Sequence, residues 1–207
     1  MADDVAMFPL GTVLLPGAYL PLHVFEPRYR TLVEACLAGT PEFGVTLIER
    51  GSEVGGGDQR VSVGCMARIV DAVRLEDGRY AIGTVGLHRV RVDRWLPDAP
   101  YPRAEVSVWP DAAPGTDAAA LVAEAVPCLR RVLALTAELG EGVAPATVEL
   151  HEDDPVAASY EMAAIAPFGP LDRQALLAAP TPEARLRALA ELLEEEAAVL
   201  ATRLAGG

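Results

Sequence analysis

Lysine and asparagine are both missing from this 207-residue chain, and all 17 basic side chains are arginine. A GC-rich coding sequence accounts for both absences, because the codons of these two residues are AT-rich. The chemical consequence holds whatever the cause. Without lysine there is no P-loop phosphate lysine, no Schiff-base nucleophile and no Ser–Lys dyad. Positive charge is scarce overall: 30 acidic residues oppose the 17 arginines, for a net charge of −13 at pH 7. The deficit is uneven. Residues 1–110 carry 14 acidic and 11 basic side chains, and residues 111–207 carry 16 and 6. Nucleic-acid binding needs clustered cations to neutralise phosphates, and this balance opposes it.

Cysteine is equally sparse. Cys36, Cys65 and Cys128 are odd in number and far apart, which gives neither a disulfide framework nor a zinc knuckle. Each lies in an apolar stretch, where burial raises a thiol pKa and makes it inert. No apolar run approaches the roughly 18 residues of a membrane span, and the opening MADDVAM is acidic, unlike a secretory or transit segment. A cytoplasmic protein with reduced thiols is the expectation.

Candidate chemistry is thin. His23, His88 and His151 have no histidine three or four residues away. HEDD at 151–154 reads as acidic residues at a helix start, with Asp154 capping and Pro155 next, in preference to a metal site. Ser52, Ser62, Ser107 and Ser159 stand in no nucleophile-elbow context. No cofactor or metal is expected, and the chain reads as a non-enzyme. The rival is an enzyme built around His23, Glu26 and Arg28, since a strand-end histidine near a carboxylate permits an acid/base pair.

What the chain does contain is concentrated in MFPLGTVLLPGAYLPLHVFEPRYR, residues 7–30. Phe8–Leu10, Val13–Leu15 and Leu20–Phe25 read as three short strands. Pro9, Pro16, Gly17 and Pro21 bound or interrupt them, and each proline removes a ladder donor, which excludes a regular central sheet. A small barrel with bulged or broken edges suits such a chain. Pro27 then fits the first position of a helix over 27–38. Further strands follow at 43–48, 61–70 (with Gly64 a bulge), 73–85, 88–95 and 103–109. Asp77-Gly78 marks a two-residue hairpin turn. In HRVRVDRW, Val90 and Val92 face one side, and Arg89, Arg91 and Asp93 the other. The polar, Gly-rich 50–60 reads as a mobile loop, not a phosphate cradle, because it lacks lysine and a βαβ frame.

Beyond the linker at 111–117 the pattern turns helical. Thr116 is the expected N-cap of a helix carrying Leu121, Val122, Ala125, Leu129, Val132, Leu133 and Thr136 at helical spacing. Pro127 should kink or divide it, and Gly140 and Gly142 end it. Asp154-Pro155 and Thr181-Pro182 start two more helices. The last places Leu186, Leu189, Leu193, Ala197, Leu200 and Leu204 on one seam, which covers the bundle or the barrel or, alternatively, mediates dimerisation.

The order and spacing of FPLGTVLLPGAYLPLHVFEPRYR, followed by VGCMARIVDAVRLEDGRYAIGTVGLHRVRVDRWLPDAPYPRAEVSVWPD (63–111) and LDRQALLAAPTPEARLRALAELLEEE (171–196), resemble the Lon-protease N-terminal domain, in the form that bacteria also encode free-standing, without ATPase and peptidase domains. The fold expected is α+β: a partly closed antiparallel β-barrel of about six strands with one helix over 1–110, then an α-helical bundle over 111–207. The resemblance implies a non-catalytic polypeptide-binding module, an adaptor or holder for unfolded or specific client proteins, with delivery to a separate ATP-dependent protease left open. A self-assembling or regulatory protein using its last helix is the rival from another class. Neither nucleic acid nor membrane is an expected partner, and the chain should be a monomer or weak homodimer.

The candidate peptide-binding residues are Leu14, Leu15, Tyr19, Leu22, Arg28, Tyr29 and Trp95. The apolar residues of 13–22 are too many for one inward face, so some should be exposed or covered by a partner. Arg28 serves either to fix the helix onto the barrel or to meet a peptide. Trp95 and Trp109 line a cleft or belong to the core, core being preferred for at least one.

Overall fold

The computed structural model describes residues 3–50, 59–141 and 149–206. The chain divides into two compact units, Met1–Pro110 and Asp111–Gly207.

In the first unit six strands, β1 (Asp3–Leu10), β2 (Tyr19–Val24), β3 (Glu42–Arg50), β4 (Gln59–Arg74), β5 (Tyr80–Leu96) and β6 (Arg103–Val108), surround one helix in sequence, α1 (Pro27–Ala38). They form one sheet in the order β2-β5-β4-β3-β1-β6, and β5 also pairs with β6. The sheet is α+β in context but not wholly antiparallel, contrary to expectation. Phe8 aligns with Val45 and Leu10 with Leu47 in a parallel β1–β3 pair. Nor is it a closed barrel. The long β5 spends its first half, Tyr80–Val85, on β2 and its second, Val90–Leu96, on β6.

Alternation splits the side chains between two apolar clusters. Phe8 and Leu10 join Tyr29, Leu32 and Val33 of α1 with Phe43, Cys65, Ile69 and Ile82 in the larger. Met7, Met66, Val90, Ala104 and Val106 make the smaller. Val13–Leu15, read as a strand, is irregular. Its side chains are nonetheless core: Leu14 is 2 % and Leu15 1 % exposed. An apolar run followed by Pro16 and by Gly17 at φ 78° turns through the core without laddering.

Gly64 is not itself the bulge. It pairs with Thr46, and register shifts flank it at Thr46/Ile48 and Cys65/Ala67. A Cβ there would meet the Val45 carbonyl oxygen at 2.3 Å, so close backbone approach explains the glycine. The Asp77-Gly78 hairpin is present with a three-residue loop instead of two. Leu75 N–H bonds Arg79 O at 2.8 Å, Gly78 N–H bonds Leu75 O at 2.9 Å, and Gly78 has φ 81°, the left-handed position that such loops require.

The second unit holds α2 (Ala118–Glu138), α3 (Pro155–Ile165), α4 (Pro170–Leu177) and α5 (Pro182–Gly206). Asp117, not Thr116, occupies the N-cap position of α2, and the helix runs undivided through Pro127. Asp154 caps α3 by accepting from Val156 and Ala157 N–H at 3.0 and 3.1 Å. Thr181 Oγ1 accepts from Ala184 N–H at 3.1 Å to start α5. The short α4, absent from the sequence reading, begins at Gly169-Pro170 with Asp172 in its first turn. Leu186, Leu189, Leu193, Ala197 and Leu200 are all buried and Leu204 is half-buried, so most of the α5 seam packs inside this unit. Gly142, Ser52 and residues 51–58 of the expected loop lie outside the described residues.

The centre of this unit is a charge. Arg185 is 0 % exposed. Its Nε donates to Leu176 O at 3.1 Å, Nη1 to Ser159 Oγ at 2.9 Å and Nη2 to Asp111 Oδ1 at 2.5 Å. The guanidinium lies 3.7 Å over the Tyr160 ring, whose hydroxyl donates to Asp111. A buried cation is tolerated only when paired and bonded in this way.

Candidate functional site

Strand β2 pairs with β5 alone among the described residues, so it is an edge strand. Its exposure alternates: Tyr19, Pro21 and His23 outward, Leu20 and Leu22 half-buried, Val24 buried. Pro21 suits an edge, because its missing N–H deprives no neighbour. Beside β2 lies a cavity of about 180 Å³, lined by Phe8 and Leu10 of β1, Pro21 to Val24 of β2, then Phe25, Glu26 and Tyr29. Its floor is an aromatic stack. Tyr29 lies parallel to Phe8, 4.0 Å between ring centroids, and Phe43 tilts against Phe8 at 5.8 Å. Pro27 at the first helical turn brings Glu26 and Tyr29 to the cavity from α1.

The polar groups are arranged for holding shape. Arg28 Nε donates to Glu26 Oε2 at 3.1 Å, and the guanidinium lies 4.6 Å over the Tyr29 ring. Both partners lie at the start of α1 itself, and an ion pair reaches Asp98 at 4.0 Å. His23 and Glu26 both face the cavity, yet among the described residues no hydrogen bond joins them, and Glu26 engages Arg28 instead. Among the described residues no base here is oriented by a third group in the manner of a triad.

The seven residues singled out from sequence separate cleanly. Leu22 and Tyr29 line the cavity. Arg28 braces Tyr29 from one side, and Tyr19 stands 63 % exposed on the same strand. Leu14 and Leu15 are core, a correction with a plain cause: the irregular loop folds their side chains inward. Trp95 belongs to the smaller cluster, under the Arg60 guanidinium at 4.3 Å, and does not line the cavity. Sequence reasoning missed Phe8, Leu10, Pro21 and Phe25; Phe25 is 55 % exposed. The signal for them was already in the prolines, which mark where two strands lack donors.

Elsewhere, burial pushes the Cys36 thiol up to about 11 and the Cys65 thiol up to about 12, so neither is a nucleophile near neutral pH. Cys128 is half-buried, not buried, and bonds Glu124 O within α2. His151 Nδ1 sits 2.5 Å from Glu161 Oε1, which raises its pKa together with Asp153 and Asp154. Among the described residues no cluster of His, Cys, Asp or Glu could hold a metal ion, and no helix is long and apolar enough to cross a membrane.

Comparison with known proteins bears on the family and the fold. The profile of the ATP-dependent protease La (LON) substrate-binding domain matches residues 4–195. The chain belongs to that family. A crystal structure of a Lon N-terminal domain protein from Xanthomonas campestris is 28% identical, with a TM-score of 0.66 over 90% of this chain and 96% of that one. The N-terminal domain of Mycobacterium avium complex Lon protease shares the fold at 20% identity, with a TM-score of 0.68 over 93% of this chain and 98% of that one. Lon protease 1 of Herpetosiphon aurantiacus is 27% identical over 207 residues, covering 96% of this chain. The chain spans about a quarter of the length of the curated relatives it matches. Membership supports a protein-binding module of the substrate-binding kind, and the matched domain is not the catalytic part of those proteases.

Proposed function

We propose that this chain is a polypeptide-binding module that takes up exposed apolar segments of client proteins at the cavity between β1 and β2, as an adaptor or holder and not as an enzyme. One observation carries the reading: an apolar, aromatic-floored cavity opens beside an edge strand that keeps Tyr19 outside, with Phe25 exposed at its rim. Large apolar side chains left in water beside a cavity mark a binding surface. Family membership supports the same reading, because the matched profile is a substrate-binding domain. Affinity is modest, since an unfolded ligand must be ordered on binding. A client so held is available for delivery to a separate ATP-dependent protease in the cytoplasm.

The test is calorimetric titration of the purified chain with a permanently unfolded polypeptide and with a folded control. Micromolar binding of the unfolded ligand alone is expected. Absence of heat with the unfolded ligand, or equal heat with both, overturns the reading.

A further inference from the structure

We infer that Gly83 is a positioning residue for polypeptide binding, because it gives the exposed Tyr19 side chain one place to lie on the sheet, leaning towards the cavity; this rests on the polypeptide-binding reading above. In the β2–β5 pair Tyr19 stands opposite Val85, and Pro21 opposite Gly83. A Cβ added to Gly83 would meet Tyr19 Oη at 2.5 Å, Cε2 at 3.0 Å and Cζ at 3.1 Å. The far end of the tyrosine therefore rests on the bare backbone of Gly83. That residue is its diagonal neighbour across the strands, a distance an aromatic side chain spans. The lean runs along β2 to the level of Pro21, which with Leu22, His23 and Val24 lines the cavity.

Glycine weakens the interior of a strand, and its presence there marks a close approach. The close approaches on β4 and β5 are of two kinds. At Gly64 and Gly86 the atom nearest an added Cβ is a carbonyl oxygen, that of Val45 at 2.3 Å and that of Leu15 at 2.1 Å. Those two glycines serve the frame. At Gly83 the three nearest atoms all belong to Tyr19. Its backbone is not in the left-handed region, which Gly17, Gly78 and Gly140 occupy, so no strain opposes a larger residue. An alanine at this position displaces the free end of an exposed side chain and leaves the backbone where it is.

The consequence is for affinity. A side chain free to turn in water must be ordered when a ligand covers it, and that cost is subtracted from binding; a side chain held in place beforehand escapes it. Tyrosine suits the task, since it offers a large, rigid contact area through two torsions. With Gly83 beneath it, Tyr19 stays exposed and still has its ring end fixed. A client segment anchored by one apolar side chain in the cavity meets that ring already in position.

Titration of the whole chain with reduced, carboxamidomethylated lysozyme, with native lysozyme as the folded control, tests this in a mutant cycle. Gly83→Ala should weaken binding of the unfolded lysozyme at least threefold and leave the urea midpoint of the tryptophan fluorescence in place. Added to Tyr19→Ala, the same substitution should change nothing further, because the side chain it displaces is already gone. In a Tyr19→Phe background its effect should shrink, because the atom nearest the new methyl has been removed. Gly83→Ala binding within twofold of the parent overturns the positioning role and leaves polypeptide binding intact. A loss equally large with Tyr19, with Phe or with Ala at position 19 also overturns it, since the glycine then acts through something other than that ring. If the parent does not prefer unfolded to native lysozyme, the functional reading itself fails.

Discussion

The two units place their most conspicuous side chains in opposite ways. In the second, even a fully buried guanidinium has every nitrogen engaged, by Leu176, Ser159 and Asp111, and an aromatic ring against its face. In the first, β2 is an edge strand, and large apolar side chains such as Tyr19 and Phe25 stand in water. Paired interiors make a rigid body, and unpaired edges with exposed aromatics make a surface that something else completes. On the reading proposed above, recognition belongs to the first unit.

The largest effect should come from breaking the paired side. Arg185→Met leaves the Asp111 carboxylate without its cation and should cost about 3–5 kcal/mol. Both tryptophans, Trp95 and Trp109, lie in the first unit, so their fluorescence reports that unit, while the helical circular dichroism signal is dominated by the second. Urea unfolding should shift strongly in the helical signal and much less in fluorescence. Equal shifts in both would mean the units unfold as one, and the comparison would lose its meaning.

A second perturbation acts on the frame that holds β2. Gly86→Ala puts a Cβ 2.1 Å from the Leu15 carbonyl oxygen. Backbone cannot yield as a side chain does, so about 1–3 kcal/mol of destabilisation is expected, here read in the fluorescence transition. Smaller still in stability, Tyr19→Ala at an exposed position should stay within about 0.5 kcal/mol of the parent and yet weaken binding of an unfolded polypeptide. A Tyr19→Ala protein that binds as the parent does would remove β2 from the recognition surface.

The smallest effect is electrostatic. Glu161 holds the exposed His151 in its charged form, which raises the histidine pKa above its ordinary 6.5. A raised folded value means the contribution is fully present below the unfolded pKa and is lost as pH rises through the folded one. The His151 ring-proton titration should therefore have its midpoint above 6.5 and return towards it in Glu161→Gln. A midpoint unmoved by that substitution would contradict the pairing.

Local signals were legible in the sequence wherever the cause is local. Pro27, Asp154-Pro155 and Thr181-Pro182 start helices because a fixed φ and a capping oxygen act within a few residues, and all three do so here. Alternation in 88–95 and 103–109 marks β5 and β6 for the same reason. The parallel β1–β3 pair was not legible, because Phe8–Leu10 reads identically beside a parallel or an antiparallel partner. Arg89 illustrates a subtler limit. Alternation sets it opposite Val90 as read, yet it is 1 % exposed, with the Trp109 ring 4.1 Å from its guanidinium, a contact between strands that no local pattern announces. Of the residues singled out from sequence, Leu22 and Tyr29 line the cavity, and Tyr19 is exposed on the same strand as Leu22. Leu14 and Leu15 were misjudged, since an apolar run says that something must be covered and not whether the core or a partner covers it.

Hydrogen exchange of the whole chain, with and without a permanently unfolded polypeptide at saturating concentration, tests most directly whether the first unit is the recognition surface. The account predicts that protection rises on binding in Tyr19–Val24 and Phe8–Leu10, with α5 unchanged. Protection confined to the helices of the second unit, or none anywhere while binding is saturated, would contradict it.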